Sequence, residues 1–105
     1  MKFAIVGAGA IGAFLGAMLA RAGEDVTLIA RGPHLRAMEQ HGIRIRDESG
    51  EIQVAAKATD QPASVGEVDV VVLTLKTHSV PAISSALQPL LGPNTAVLTA
   101  QNGFP

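Results

Sequence analysis

Three glycines that follow a short apolar run constrain the fold of this chain more than any other feature. The run Lys2–Val6 stops at glycine and is typical of a buried strand. The motif Gly7-Ala-Gly-Ala-Ile-Gly12 comes next, and from Ala10 the apolar residues recur at helical spacing. Glycines that connect a strand directly to a helix make a specific signal, so a strand, a tight turn and a helix are predicted. The helix face expected to be buried consists of Ile11, Phe14, Leu15, Met18, Leu19 and Ala22.

Strand-like and helix-like segments alternate along the rest of the chain. Because parallel strands need crossovers, this alternation predicts a Rossmann-type, doubly wound α/β fold with a mostly parallel sheet and helices on both faces. The polar stretch Thr59–Glu67 predicts a loop or one helical turn. The predicted strands are Val26–Ala30, Val68–Leu75 and Thr95–Thr99, the later helices are His34–His41 and Ser79–Leu91, and a hairpin is predicted around Asp47–Gly50.

Length and composition limit the classes of protein to which the chain can belong. Its 105 residues make one domain, and 48% hydrophobic residues suffice for a core. A net charge of −1 gives no reason to expect binding to nucleic acid or to an anionic membrane. Glycines within the apolar stretch Phe3–Leu19 argue against a membrane span, and we expect a cytoplasmic domain. The chain contains no cysteine, which excludes a thiolate zinc site, and no metal-ligand spacing is present.

The glycine motif predicts a site for the pyrophosphate of a dinucleotide. Gly7 would permit the tight turn, Gly9 would let the phosphates approach the backbone, and Gly12 would let the helix pack closely on the strand. Free amide groups at the start of a helix favour an anion. The alternative is a glycine turn that binds nothing. The predicted cofactor-binding residues of this loop are Gly7, Ala8, Gly9, Ala10, Ile11 and Gly12.

Arg31 indicates which dinucleotide the chain binds. In NAD-binding units an acidic residue at the end of the second strand accepts the ribose 2′-hydroxyl. Here the second predicted strand ends in Ala30-Arg31-Gly32, and no acidic residue follows it. Because a guanidinium group pairs well with a phosphate, Arg31 predicts NADP as the cofactor. The alternative is an ordinary surface arginine at the start of a helix.

Two further polar residues follow predicted strands. Lys76 comes after the Val68–Leu75 strand, and Asn102 comes after the Thr95–Thr99 strand. Ligands of open α/β sheets bind beyond the carboxyl ends of the strands, so both residues are predicted at the cofactor site. Taken alone, the lysine could be a solvated strand end and the asparagine a turn former. No nucleophile–base pair is recognisable, so no catalytic residue is predicted within the chain.

Four blocks of the sequence together resemble the ketopantoate reductase family, also called 2-dehydropantoate 2-reductases. They are Lys2-Phe-Ala-Ile-Val-Gly-Ala-Gly-Ala-Ile-Gly12, Val26-Thr-Leu-Ile-Ala-Arg31, Leu73-Thr-Leu-Lys76 and Gln101-Asn-Gly103. The resemblance implies an oxidoreductase that reduces the ketone of 2-dehydropantoate to (R)-pantoate with NADPH, in the biosynthesis of pantothenate and coenzyme A. It also implies that the glycine loop, Arg31, Lys76 and Asn102 bind the cofactor, with Asn102 near the substrate as well.

The resemblance also implies a second part that is absent from these 105 residues. Members of the family carry a helical domain that supplies a lysine general acid and a glutamate. We therefore expect residues 1–105 to be a truncated NADP-binding domain that is inactive alone. Two alternatives stay open: a stand-alone nucleotide-sensing module, and a dehydrogenase for another hydroxy acid or a sugar phosphate. The sequence leaves the 2-keto acid substrate and any homo-oligomer undetermined.

Overall fold

The residues that the structure describes form seven strands and two α-helices. The structure is a computed structural model that describes residues 1–7, 10–30, 32–55, 57–74 and 85–99. Short 3₁₀ helices lie at Pro62–Ser64 and Ser85–Leu90. In chain order the other elements are β1 (Lys2–Val6), α1 (Ala10–Arg21), β2 (Asp25–Ile29), α2 (Pro33–His41), β3 (Ile43–Asp47), β4 (Gly50–Val54), β5 (Lys57–Thr59), β6 (Val70–Leu73) and β7 (Ala96–Thr99).

Five of the strands form one parallel sheet in the order β5-β2-β1-β6-β7. The chain builds outward from β1 in one direction through β2 and β5, and then returns to β1 and builds in the other direction through β6 and β7. This reversal is the defining feature of a doubly wound sheet, so the predicted Rossmann-type fold is confirmed. The remaining strands, β3 and β4, form the predicted antiparallel hairpin.

The two faces of the sheet are covered by different elements. Side chains alternate along β1, so that Ile5 lies in one apolar cluster while Ala4 and Val6 lie in the other. On the first face, α1 and α2 contribute Ala17 and Met38 to a core that also contains residues of β2. On the second face, the 3₁₀ helix Ser85–Leu90 contributes buried leucines. Because right-handed crossovers change face when the chain changes direction, this arrangement follows from the strand order.

Small residues face the sheet from α1, which the apolar spacing did not reveal. Gly12, Gly16 and Ala17 are buried, whereas Phe14 is 51% exposed and Ala22 lies beyond the end of the helix on the surface. The predicted buried face was therefore wrong at Phe14 and Ala22. Glycine carries no apolar signal, yet it lets the helix axis approach the strands more closely than a large side chain would.

Two segments differ from what the sequence predicts, and one agrees with it. The strand β5 was not predicted, and it pairs with β2 immediately before the polar loop. Within that loop, for which a loop or one helical turn was predicted, Pro62–Ser64 forms one 3₁₀ turn. In the predicted helix Ser79–Leu91, the described part is a 3₁₀ helix that contains Pro89, a residue without an N–H to donate. None of the helices in the described ranges is long and apolar enough to cross a membrane.

Candidate functional site

The carboxyl ends of all five parallel strands lie at one edge of the sheet. The last residues of these strands pair with one another, so that they form a single row across the sheet. Ligands of doubly wound sheets bind at this edge. The row consists, in the order of the sheet, of Thr59, Ile29, Val6, Leu73 and Thr99.

The strand order reverses between β1 and β6, and this is the topological switch point. The helix α1, which follows β1, and the 3₁₀ helix Ser85–Leu90, which follows β6, pack on opposite faces of the sheet. In doubly wound sheets, a crevice for the ligand opens beyond the strand ends at such a point. Gly7 follows β1 directly, and Thr74 follows β6 directly. The glycine motif thus enters the fold at the position where a doubly wound sheet binds a dinucleotide.

Gly7 begins the turn in a conformation that suits glycine. Its φ is 109°, a value that residues with a side chain rarely adopt. Its N–H donates to the carbonyl of Ile29 at 3.1 Å, which ties the start of the turn to the neighbouring strand β2. The backbone of Gly7 therefore has the positive φ that a tight turn of glycines can use, and the turn itself stays a prediction.

Gly12 stands in the first turns of α1, where there is no room for a side chain. A Cβ atom at this position would lie 2.5 Å from the backbone oxygen of Gly7 and 3.2 Å from the hydroxyl oxygen of Thr74. Real Cβ atoms do not approach other atoms to 2.5 Å, and a backbone oxygen cannot rotate away. The close packing that was predicted for Gly12 is confirmed, and it brings the start of the helix down onto the end of β1.

The start of α1 is electrostatically suited to an anion. The helix begins at Ala10, and its first turn contains no acidic residue to neutralise the positive end of the helix dipole. The first amide groups of a helix have no partner within it, so they are available to phosphate oxygens. A turn of glycines and a close-packed helix start fit the pyrophosphate of a dinucleotide, the group predicted from the sequence.

The described ranges contain only part of the predicted site. Gly7 and Gly12 lie at the switch point, and the backbones of Ala10 and Ile11 belong to the first turn of α1. Their roles in cofactor binding stay a prediction. The other predicted residues lie outside the described ranges, so that their convergence at this edge also stays a prediction. These residues are Ala8, Gly9, Arg31, Lys76 and Asn102.

Thr74 lies at the candidate site, at the end of β6, and was not among the residues predicted from the sequence. Its hydroxyl donates to the carbonyl of Val6 at 2.8 Å, and its backbone N–H donates to the same oxygen at 2.9 Å. The signal in the sequence was a single polar residue at the end of an apolar strand. Only the register between β1 and β6 makes its contact with the glycine turn visible.

A salt bridge and a hydrogen bond to a carboxylate lie at the opposite, amino edge of the sheet. Lys57 pairs with Asp25 there, and the Asp69 carboxylate accepts a hydrogen bond from the backbone N–H of Lys2 at 2.7 Å. The hydrogen bond from Lys57 lowers the pKa of the Asp25 carboxyl below its ordinary value. These pairs connect strand ends far from the switch point. Among the described residues, no group of three or more His, Cys, Asp and Glu side chains could hold a metal ion.

Comparisons with known proteins agree with this geometry. Residues 3–105 match the family model described as ketopantoate reductase PanE/ApbA. A curated 2-dehydropantoate 2-reductase of Mesorhizobium japonicum is 43% identical over the whole chain, which covers 32% of that protein. The PanE/ApbA family ketopantoate reductase of Ralstonia eutropha superposes with a TM-score of 0.88 at 42% identity, over 98% of this chain and 35% of that one.

A second solved structure that superposes on this chain is that of a dehydrogenase with a different name. D-mandelate dehydrogenase, in a ternary structure with NADH and anilino(oxo)acetate, superposes with a TM-score of 0.87 at 30% identity. The superposition covers this whole chain and 34% of the D-mandelate dehydrogenase chain. The chain thus spans about a third of the length of the curated relatives that it matches. With its switch-point glycines and a family match over nearly every residue, the chain belongs to the ketopantoate reductase family.

Proposed function

We propose that this chain is the cofactor-binding part of an NADPH-dependent reductase that converts 2-dehydropantoate to (R)-pantoate. The observation that carries the proposal is the glycine turn at the switch point, where Gly12 packs against the Gly7 carbonyl at the start of α1. The names of the relatives support the substrate, since several are 2-dehydropantoate 2-reductases. As part of the proposal, we place the protein in the cytoplasm.

The reaction needs a hydride, a proton and a fixed ketone. A reduced nicotinamide, when bound, supplies the hydride that reduces the carbonyl carbon. Gly7, Gly9 and Gly12 would hold the pyrophosphate against the helix start, and Lys76 and Asn102 would extend the site toward the nicotinamide and the keto acid. The proton for the new hydroxyl group would come from a general acid outside these 105 residues, as the family resemblance implies.

The cofactor is proposed to be NADPH because of Arg31. A guanidinium group at the end of β2 would lie where the ribose 2′ position is recognised in this fold. With a 2′-phosphate it can form charge-assisted hydrogen bonds, which are about twice as strong as neutral ones. The second strand carries Asp25 at its amino end, on the wrong edge of the sheet for the 2′-hydroxyl of NADH.

A second candidate is the reduction of another 2-keto acid with NADH. It is favoured by the likeness to D-mandelate dehydrogenase, whose solved structure contains NADH. The two candidates share the glycine turn and differ in what surrounds the ribose and the ketone. Arg31 is the residue of this chain that separates them, because it would serve a 2′-phosphate but not a 2′-hydroxyl.

Calorimetric titration of the wild type and of Arg31→Asp with NADPH and with NADH tests the proposal. Loss of the charge-assisted pair should weaken NADPH about ten- to a hundredfold while NADH changes little. Arg21→Asp is the matched control, since Arg21 makes the same charge change in the last turn of α1. Equal losses for both cofactors in Arg31→Asp, or the same selective loss in Arg21→Asp, would contradict the assignment of NADPH.

A further inference from the structure

The peptide group between Val6 and Gly7 is held from both sides of the switch point. Its N–H, which belongs to Gly7, donates to the Ile29 carbonyl of β2 at 3.1 Å. Its carbonyl, which belongs to Val6, accepts two hydrogen bonds from Thr74 at the end of β6. The strands on both sides of β1 therefore fix the orientation of the peptide group that leads into the glycine motif.

One of the two hydrogen bonds to the Val6 carbonyl comes from the Thr74 side chain, and parallel strand pairing does not require it. The backbone N–H of Thr74 makes the bond that any residue would make in a parallel pair. The hydroxyl adds a bond of 2.8 Å from a half-buried position, and its oxygen lies 3.2 Å from where a Cβ of Gly12 would be. One side chain thus bonds to the end of β1 and occupies the space beside Gly12 in the first turn of α1, and these two elements flank the glycine loop.

We propose that Thr74 is a positioning residue for the dinucleotide pyrophosphate. It holds the Val6–Gly7 peptide group and the start of α1 in the binding geometry before the ligand arrives. Binding sites whose groups are already ordered lose less free energy when a ligand immobilises them. The inference rests on the proposed function, because it assigns Thr74 a role at the same pyrophosphate site.

Thr95 provides a matched comparison elsewhere in the fold. Its hydroxyl donates to the Val68 carbonyl at 2.6 Å and accepts from the Gly92 N–H at 2.8 Å, also from a half-buried position. Thr95 precedes β7, so that its bonds lie at the amino edge of the sheet. Removal of its hydroxyl should therefore cost stability as removal of the Thr74 hydroxyl does, but without affecting the glycine turn.

The experiment compares Thr74→Val, Thr74→Ser and Thr95→Val by titration with NADPH and with NADH and by thermal unfolding without ligand. Valine keeps the shape of threonine, and the Val6 carbonyl keeps its bond from the backbone N–H, so Thr74→Val should fold. Both cofactors carry the pyrophosphate, and we expect Thr74→Val to weaken each by the same factor, about three- to tenfold. Thr74→Ser should stay within about twofold of the wild type because it keeps the hydroxyl.

The outcomes separate a positioning role from a structural one. The inference holds if Thr74→Val weakens both cofactors and Thr74→Ser does not, while Thr95→Val lowers the unfolding temperature but leaves both affinities unchanged. It is overturned if Thr74→Val binds as the wild type does, if Thr95→Val weakens binding equally, or if serine fails to restore affinity. Absence of binding by the folded wild-type chain would overturn the proposed function itself, which is a different result from binding that ignores Thr74.

Discussion

Replacing Gly12 by alanine sets two opposing effects of known size against each other. Alanine in a helix interior is favoured over glycine by about 0.8–1.0 kcal/mol. The added methyl group, however, would lie 2.5 Å from the backbone oxygen of Gly7, so the helix start or the turn must move. Overpacking of this kind costs about 1–3 kcal/mol, and a backbone oxygen offers no rotation that would relieve it. We therefore expect Gly12→Ala to lower the free energy of unfolding by about 1 kcal/mol.

Gly16 is the matched control for this prediction because it lies one turn further along the same helix. A Cβ there would meet the methyl groups of Ile43 and Leu28 at 3.2 and 3.3 Å, and those side-chain ends can shift. The helix-propensity gain should then offset the crowding, and Gly16→Ala should change the free energy of unfolding by less than about 0.5 kcal/mol.

Urea denaturation and calorimetric titration with NADPH measure the two consequences. In a domain of this size, a loss of 1 kcal/mol corresponds to a fall in the unfolding temperature of roughly 4–8 °C. Gly12→Ala should also weaken NADPH, because the amides that are proposed to bind the pyrophosphate would move with the helix start, whereas Gly16→Ala should not. If Gly12→Ala were as stable as Gly16→Ala and bound NADPH as the wild type does, the close contact between α1 and β1 would be refuted as the basis of the site.

Three further predictions concern the core, the amino edge and turnover. Leu28 is fully buried, so Leu28→Ala should lower the free energy of unfolding by about 2–5 kcal/mol in urea denaturation. Leu98 is 55% exposed, and Leu98→Ala should lower it by less than about 0.5 kcal/mol; equal losses would contradict the placement of the core. Lys57→Met should raise the pKa of Asp25 toward its ordinary 3.8 in an NMR titration. Because the pKa of Asp25 is lowered in the folded chain, the stability contributed by the pair is present above pH 3.8 and is lost as the pH falls through the lowered pKa. If Lys57→Met left the decrease in the free energy of unfolding at acid pH unchanged, a stabilising role of the pair would be contradicted. Residues 1–105 alone should bind NADPH weakly but should not oxidise it with 2-dehydropantoate, because a general acid typically raises the rate about a hundred- to ten-thousandfold. Turnover near that of a full-length relative would place the acid within this chain.

Much of the fold could be predicted because its signals are local. An apolar run that ends at Gly7 and passes into helical spacing specifies a strand, a turn and a helix within twenty residues. The hairpin of β3 and β4 is likewise predicted by the alternation of apolar and polar residues on both sides of a polar turn. The doubly wound topology then follows from the right-handedness of crossovers.

What could not be predicted depends on contacts between distant segments. The strand β5 has three residues and becomes a strand because Thr27, Leu28 and Ile29 offer it a parallel partner. The role of Thr74 requires the register of β6 on β1, which separates the two bonded residues by 68 positions. The sheet-facing side of α1 consists partly of glycines, which leave no mark in a hydrophobic pattern.

We propose that a dinucleotide binds at the carboxyl edge of the sheet, between the ends of β1 and β6. An NMR titration of the ¹⁵N-labelled chain with NADPH tests it most directly, since each backbone amide reports its own environment. We expect the amide signals of Gly7, Gly12 and Thr74 to move together and to saturate, while those of Asp25 and Asp69 at the amino edge stay in place. Saturating shifts confined to the amino edge, or no shifts at millimolar NADPH in a folded chain, would contradict the account.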